Sequence, residues 1–284
     1  MGEPLFRGMD RGEIDRQFNL RARWPEHPKY FARWAEESAA VRTRHVGRFD
    51  LAYGESAKET LDLFLPETAP PPPLLAFLHG GYWQALDKAD FSYLAPAFLD
   101  SGIAYASLNY DLAPQVGLSV IVEQIGRALA WLQSRGRELG FDPERIFLAG
   151  HSAGGHLAAL ALLAADEGAA PRGACAVSGV YDLAPVSLSY HQDVLALTEE
   201  EVETLSPFRR IRPGNAPLIC ALGSEETDEF LRQQAEFVAA CEAAGRPVTT
   251  VALPGRQHFS ACDALGEPDH PLHRATCAMI LGAG

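Results

Sequence analysis

One serine lies in a glycine-rich turn within the segment "LAGHSAGGHLAALAL", a setting that can activate a hydroxyl group. The pentapeptide Gly150-His151-Ser152-Ala153-Gly154 follows the apolar run "RIFLA" and precedes an alanine-rich stretch with helical character. A strand, a sharp turn and a helix in this order form a nucleophile elbow, which holds the serine Oγ clear of the sheet. The pattern predicts that Ser152 is a nucleophile. It also predicts that the Ala153 N–H, at a helix N-terminus, faces a developing oxyanion.

A serine nucleophile needs a base, and the chain order Ser, acid, His directs attention to the loop after the last predicted strand. His258 comes shortly after "VTTVALPG", on the loop that leaves the carboxyl end of that strand. The remaining histidines lie before the sheet, in loops already assigned, in an insertion or at the start of a terminal helix. We therefore predict that His258 is the base, with His151 as the rival assignment.

The acid of such a triad should follow the preceding strand run, "PLICALG", and the segment "GSEETDEF" (223–230) offers four carboxylates there. Asp228 is placed as the N-cap of a helix predicted over 230–244, and Glu229 suits the positive end of the helix dipole. Glu225 and Glu226 precede the helix, where a carboxylate could accept the imidazole N–H and stabilise the imidazolium. On these grounds Glu225 and Glu226 both remain candidates.

The segment "HGGYW" supplies a second glycine-rich loop after the apolar run "LLAFL". Gly80 and Gly81 lack side chains, so their backbone N–H groups can approach a ligand closely and complete an oxyanion hole. Tyr82 and Trp83 are expected to wall the substrate pocket together with His151. His79 is expected to hold the loop through hydrogen bonds.

Short apolar runs alternate with amphipathic helical stretches, and this alternation predicts an α/β fold. We expect a mostly parallel, twisted sheet with helices on both faces. The leucines of "ETLDLFLP" recur at period two, as in a half-buried strand. Residues 1–45 are interpreted as an N-terminal helical arm and 46–284 as the main domain. An insertion at about 183–212 would form a small cap near the strand carboxyl ends, where ligands bind.

The net charge of −13 disfavours nucleic acid and anionic membranes as partners, because both attract basic surfaces. No apolar stretch has the length of a membrane span, and the first residues lack the apolar core of a secretory signal. The five cysteines form no C-x-x-C pair and fit buried, reduced thiols. We expect a soluble cytoplasmic protein that could form a homodimer. It is expected to act on a small-molecule amide or ester without a metal or cofactor.

These motifs resemble those of the α/β-hydrolase superfamily, and within it the kynurenine formamidase (arylformamidase) group and its bacterial esterase-like relatives. The resemblance rests on "HGGYW", "GHSAGGH" and "GSEETDEFLRQ", and extends to "YGESAKETLDLFLP" and "FNLRARWPEHP". It implies that Ser152 is the nucleophile, that His258 is the base, and that Gly81 and Ala153 are oxyanion donors. The acid of that group stands three residues after the strand-ending glycine, which is Glu226; most formamidases carry Asp there.

Three functions follow as expectations. The first is a serine hydrolase that cleaves an N-formyl arylamine, such as N-formylkynurenine, through an acyl-enzyme. The second is a carboxylesterase that acts on small esters with the same triad. The third is a non-catalytic binding protein with a hydrolase fold, against which stands a complete set of nucleophile, base, acid and oxyanion loop.

Overall fold

The apolar segments of the sequence form neighbouring strands of one sheet. The structure is a computed structural model that describes residues 2–68, 71–165 and 171–282. Eight strands are found in these ranges: β1 (Gly47–Ala52), β2 (Thr60–Phe64), β3 (Leu74–Leu78), β4 (Ala104–Leu108), β5 (Ile146–His151), β6 (Ala174–Val177), β7 (Leu218–Gly223) and β8 (Val248–Leu253). Their order is β1-β2-β4-β3-β5-β6-β7-β8. The β1–β2 and β2–β4 pairs are antiparallel and the other pairs are parallel, which confirms the predicted mostly parallel sheet.

Helices connect and flank these strands. Besides three 3₁₀ helices, the same described ranges contain twelve α-helices: α1 (Arg11–Phe18), α2 (Leu20–Arg23), α3 (His27–Arg44), α4 (Ala95–Asp100), α5 (Leu118–Leu139), α6 (Ala153–Ala164), α7 (Ala184–Ser187), α8 (Gln192–Leu195), α9 (Glu199–Leu205), α10 (Asp228–Ala243), α11 (His258–Ala261) and α12 (Pro271–Leu281). Every residue of strands β3 to β7 is buried. Since successive side chains point to opposite faces of a sheet, this central part is covered on both faces.

Strand β2 differs from the half-buried strand that its leucine spacing predicts. Asp62 lies on the face that was expected to be solvent-exposed, but it is fully buried. Its carboxylate binds Lys88 Nζ at 2.6 Å and also Arg42 of α3. A buried carboxylate is tolerated only when it is paired and hydrogen-bonded, and Asp62 also accepts the Asp50 N–H at 2.9 Å. The prediction of a half-buried strand was wrong because Asp62, the polar residue between Leu61 and Leu63, faces an ion-pair network instead of solvent.

The N-terminal helices are bound to the far end of the chain. Arg33 and Trp34 of α3 donate to the two carboxylate oxygens of Asp263, at 2.6 and 2.9 Å, and Tyr93 O–H also donates to Asp263 at 3.2 Å. Trp34 is fully buried. The arm is therefore packed against the main sheet domain through a core tryptophan and a charged anchor.

The segment between β6 and β7 carries the short helices α7, α8 and α9 in place of a direct connection. Its end is tied to the elbow helix α6, because His156 Nε2 donates to the Leu205 carbonyl at 2.8 Å. None of the described helices combines the length and the hydropathy that crossing a membrane requires.

Candidate active site

Ser152 occupies a strained turn between β5 and α6. Its backbone angles are φ 57° and ψ −119°, in the positive-φ region that non-glycine residues rarely adopt. A Cβ added at Gly150 would lie 2.1 Å from the Gly154 carbonyl oxygen, and one added at Gly154 would lie 1.9 Å from the Leu78 oxygen. Only glycine fits at either position, so the two glycines of the motif are what permit the turn. Strain of this kind is concentrated at functional sites.

Glu226 and His258 meet at the carboxyl ends of β7 and β8. His258 Nδ1 lies 3.0 Å from one carboxylate oxygen of Glu226 and 3.1 Å from the other. Both residues are almost fully buried, at 3% and 2% exposure. Glu225 and Asp228 point to solvent, so of the four acids in this segment Glu226 is the one that reaches the imidazole.

The start of α10 differs by one residue from the predicted helix cap. Thr227 is the N-cap, and Asp228 is the first helical residue instead of the cap. Glu229 follows in the first turn, as expected, but it is buried and binds Arg232 at 2.5 Å. The Thr227 Oγ1 forms no hydrogen bond with the helix, so the acids of the first turn supply the favourable charge at this end.

The loop after β3 runs close to the elbow. Gly80 lies against it, because an added Cβ would be 2.9 Å from the His151 oxygen and 3.1 Å from the Ser152 Cβ. Gly81 has φ +103°, and the next two residues, Tyr82 and Trp83, also have positive φ. Ala153 is the first residue of α6, where backbone N–H groups have no partner within the helix. Two sets of N–H donors thus flank the serine.

Two buried histidines fix this arrangement. His79 contacts the Gly80 carbonyl through Nδ1 at 2.9 Å and Asn109 Oδ1 through Nε2 at 3.1 Å, so it holds the loop as expected. His151 Nε2 donates to the His258 carbonyl at 2.8 Å. Burial, and then the neighbouring His258, lower the pKa of His151 to about 3. His151 is therefore neutral at pH 7, and its N–H is engaged by backbone, which argues against it as the base.

A cavity of about 340 Å³ joins these groups. Of the predicted residues, Ser152, His258, His151, Gly81 and Tyr82 line it. Glu226 lies behind His258. Trp83 was expected to wall the pocket, but it is fully buried and packs edge-on against His156, away from the lining.

Much of the remaining lining comes from segments in which no site residue was predicted. The N-terminal arm contributes Asn19, Leu20, Arg21, Phe31 and Trp34, and the insertion contributes Tyr190 and His191. The Tyr82 ring stacks on His191 with centroids 3.8 Å apart, which joins the loop after β3 to the insertion. Phe259, next to His258, contacts Phe31 edge-on at 5.5 Å. The dense aromatic and polar content of "FNLRARW" was the available signal for the arm.

A mostly parallel sheet with a serine elbow after β5 and a carboxylate–histidine pair after β7 and β8 defines an α/β-hydrolase. A family model described as BD-FAE matches residues 61–183. The kynurenine formamidase of Danio rerio is 31% identical over 258 residues, 87% of each chain. The chain belongs to this kynurenine formamidase family and is a hydrolase.

Two further comparisons agree with this class. Esterase LipQ of Mycobacterium tuberculosis is 28% identical over 74% of this chain and 56% of its own length. The solved structure of a proposed thioesterase from Silicibacter sp. TM1040 is 30% identical and superposes with a TM-score of 0.81, covering 95% of this chain and 99% of the other. The match extends over the N-terminal arm as well as the sheet.

Proposed function

We propose that this chain hydrolyses N-formyl arylamines such as N-formylkynurenine, with Ser152 as nucleophile, His258 as base and Glu226 as acid. The observation that carries the proposal is the buried contact between Glu226 and His258 Nδ1, at 3.0 and 3.1 Å, behind the cavity that Ser152 lines. Similarity to the Danio rerio formamidase over 87% of the chain supports the choice of substrate.

In the first half-reaction the Ser152 Oγ attacks the formyl carbon while His258 Nε2 takes the hydroxyl proton. The negative charge that develops on the formyl oxygen is stabilised by backbone N–H groups of Gly80, Gly81 and Ala153. His258 then gives its proton to the aryl nitrogen as the C–N bond breaks. The free arylamine leaves and the formyl group remains on Ser152 as an ester.

In the second half-reaction a water molecule attacks the formyl ester. His258 accepts a proton from that water and returns a proton to Ser152 Oγ as formate departs. Glu226 stays ionised throughout, holds the imidazole in one tautomer and stabilises the imidazolium. Neutral His151 does not compete for these protons, because its Nε2 hydrogen is donated to the His258 carbonyl.

Hydrolysis of small carboxylic esters is the second candidate. Its support is the similarity to esterase LipQ, together with Glu226 at a position where formamidases usually have Asp. The same nucleophile, base and oxyanion donors would serve, since an ester has a better leaving group than an anilide. The two candidate reactions differ in the leaving-group atom that His258 protonates, which is a nitrogen in the formyl anilide and an oxygen in the ester.

The test is a comparison of kcat/KM for N-formylkynurenine with that for phenyl acetate and phenyl butyrate. The proposal requires a preference for the formyl anilide, and an ester preference would favour the esterase candidate. Ser152→Ala should lower turnover of either class by at least about 10³-fold. A fluorophosphonate probe should label the parent and the exposed control Ser134→Ala but not Ser152→Ala; an unlabelled parent would indicate a binding protein.

A further inference from the structure

The cavity has an unusual charge pattern for a chain with a net charge of −13. Among the described residues that line it there is one permanently charged side chain, Arg21, and there is no aspartate or glutamate. A guanidinium stays protonated at any physiological pH. The substrate-facing surface is therefore positive in an otherwise acidic protein.

Two histidines of the lining, His151 and His191, add no positive charge. Burial lowers the pKa of His191 to about 4, although the Phe18 carbonyl opposes this, and His151 has a pKa of about 3. Both are neutral at pH 7. The mouth of the cavity thus owes its positive charge to Arg21.

Arg21 is held at the cavity without being neutralised. It belongs to the short helix α2, and its Cζ lies 5.7 Å from the centroid of the Phe31 ring, within cation–π range. Among the described residues, none forms an ion pair or a hydrogen bond with its guanidinium. Asp15 lies in the same neighbourhood, but it binds Arg11 at 3.1 Å and accepts the Tyr190 N–H at 2.6 Å.

The lining combines an aromatic surface with the positive charge of Arg21. The Phe31 ring contacts the rings of Trp34 and Phe259, and Phe259 is next to His258. Arg21 lies on the arm beside Tyr190 of the insertion, where its positive charge opposes the rise that burial causes in the pKa of that tyrosine. A ligand with an aryl group and an anionic substituent would match both parts.

We infer that Arg21 is a specificity-determining residue that binds a carboxylate on the leaving-group side of the substrate. The enzyme would therefore prefer aryl amides or esters whose leaving group carries an amino-acid side chain or another carboxylic acid. The inference deepens the proposed function and rests on it for the position of the scissile bond. A guanidinium and a carboxylate form a charge-assisted pair that is commonly bidentate. N-formylkynurenine has the required α-carboxylate.

The test uses Arg21→Met, which keeps the chain length without the charge, and Arg23→Met as the matched control. Arg23 lies on the same helix, is exposed, and stacks over Trp24 at 5.2 Å without lining the cavity. Two substrate pairs are compared: N-formylkynurenine with its carboxamide, and 4-acetoxyphenylacetate with its carboxamide. We expect Arg21→Met to lower kcat/KM at least about tenfold for the charged member and less than about twofold for the uncharged one. Arg23→Met should match the parent.

The two substrate pairs separate the inference from the proposed function. Hydrolysis of the acetoxy esters alone, with the same Arg21-dependent preference for the carboxylate, would refute the formamidase assignment and keep the inference. Equal losses for charged and uncharged members, or no loss, would overturn the inference. Calorimetric binding of kynurenine and kynurenine amide to Ser152→Ala gives a readout without turnover. Weaker binding of kynurenine to the Ser152→Ala/Arg21→Met double variant supports the inference, whereas equal binding refutes it.

Discussion

The Glu226 carboxylate has both of its oxygens within hydrogen-bonding distance of His258 Nδ1, at 3.0 and 3.1 Å, and both side chains are shielded from water. The Nδ1 proton is thereby fixed between the two residues, which leaves Nε2 as the acceptor nitrogen. An acceptor at Nε2 is what deprotonation of Ser152 requires. The contact makes Glu226 the most informative residue to change.

Glu226→Gln should lower kcat by about 10²–10⁴-fold while leaving the fold intact, because an amide keeps the shape but not the charge that stabilises imidazolium. Steady-state kinetics and a thermal melt measure the two effects. Glu225→Gln is the matched control; Glu225 is exposed and should be replaceable without loss. Parent-like activity in Glu226→Gln would refute its role and bring Asp228 back into consideration.

Gly80→Ala should reduce kcat by about tenfold or more. The new methyl group would lie 2.9 Å from the His151 oxygen and 3.1 Å from the Ser152 Cβ, so the loop must move away from the nucleophile. Gly126→Ala is the control, because nothing lies within 4 Å of a Cβ on this exposed helical residue. That control should gain about 0.5–1 kcal/mol in free energy of unfolding with unchanged kcat. Unchanged kcat in Gly80→Ala would argue against an oxyanion loop here.

His151→Leu should weaken both stability and turnover, since it leaves the His258 carbonyl buried without its donor. We expect a loss of about 1–3 kcal/mol in free energy of unfolding. A displaced His258 should also lower kcat, because small errors of position are costly in catalysis. His151→Gln restores an N–H donor and should recover part of both. If Leu and Gln behave alike in denaturant titrations and kinetics, the hydrogen bond has no such role.

Acid should destabilise the protein through its buried histidines. Burial lowers the pKa of four of them to about 3 or 4: His79, His151, His156 and His191. In the unfolded chain a histidine has a pKa near 6.5, so between about pH 6.5 and 4 the unfolded state binds protons that the folded state does not. Stability is thus fully present above that range and falls as pH decreases, by about 1.4 kcal/mol per pH unit for each histidine.

His156→Gln isolates one of these contributions, since glutamine can still donate to the Leu205 carbonyl. Urea unfolding at about pH 7, 6 and 5 should give a shallower loss of stability for the variant than for the parent. If the free energy of unfolding changed equally with pH in the two proteins, His156 would not contribute to the acid sensitivity.

The strands that carry the site could be predicted because each is a continuous apolar run, and the elbow because its glycines leave a recognisable spacing. Strand β1 was not predicted, since its burial alternates between intermediate and exposed at the edge of the sheet. The choice between Glu225 and Glu226 could not come from pattern, because only the path of the loop decides which neighbour faces His258. Trp83 was misplaced for a similar reason, because the path of the loop places its indole in the core against His156.

The pocket wall from the arm depends on long-range contacts that no local pattern encodes. The sequence indicated helices in this segment. It did not show that Trp34 would bind Asp263, which lies 229 residues away along the chain. The role that we infer for Arg21 depends on the docked position of the arm, so it could be proposed only from the three-dimensional structure.

The anchor of Arg33 and Trp34 on Asp263 also sets an order of events during synthesis. Ribosomes make proteins from the N-terminus, so the arm leaves the exit tunnel long before its docking partner exists. Trp34 and its aromatic neighbours lack their native packing partners until the loop that carries His258 and Asp263 has emerged. The nascent chain consequently remains without a closed pocket until the segment that carries His258 and Asp263 has been translated.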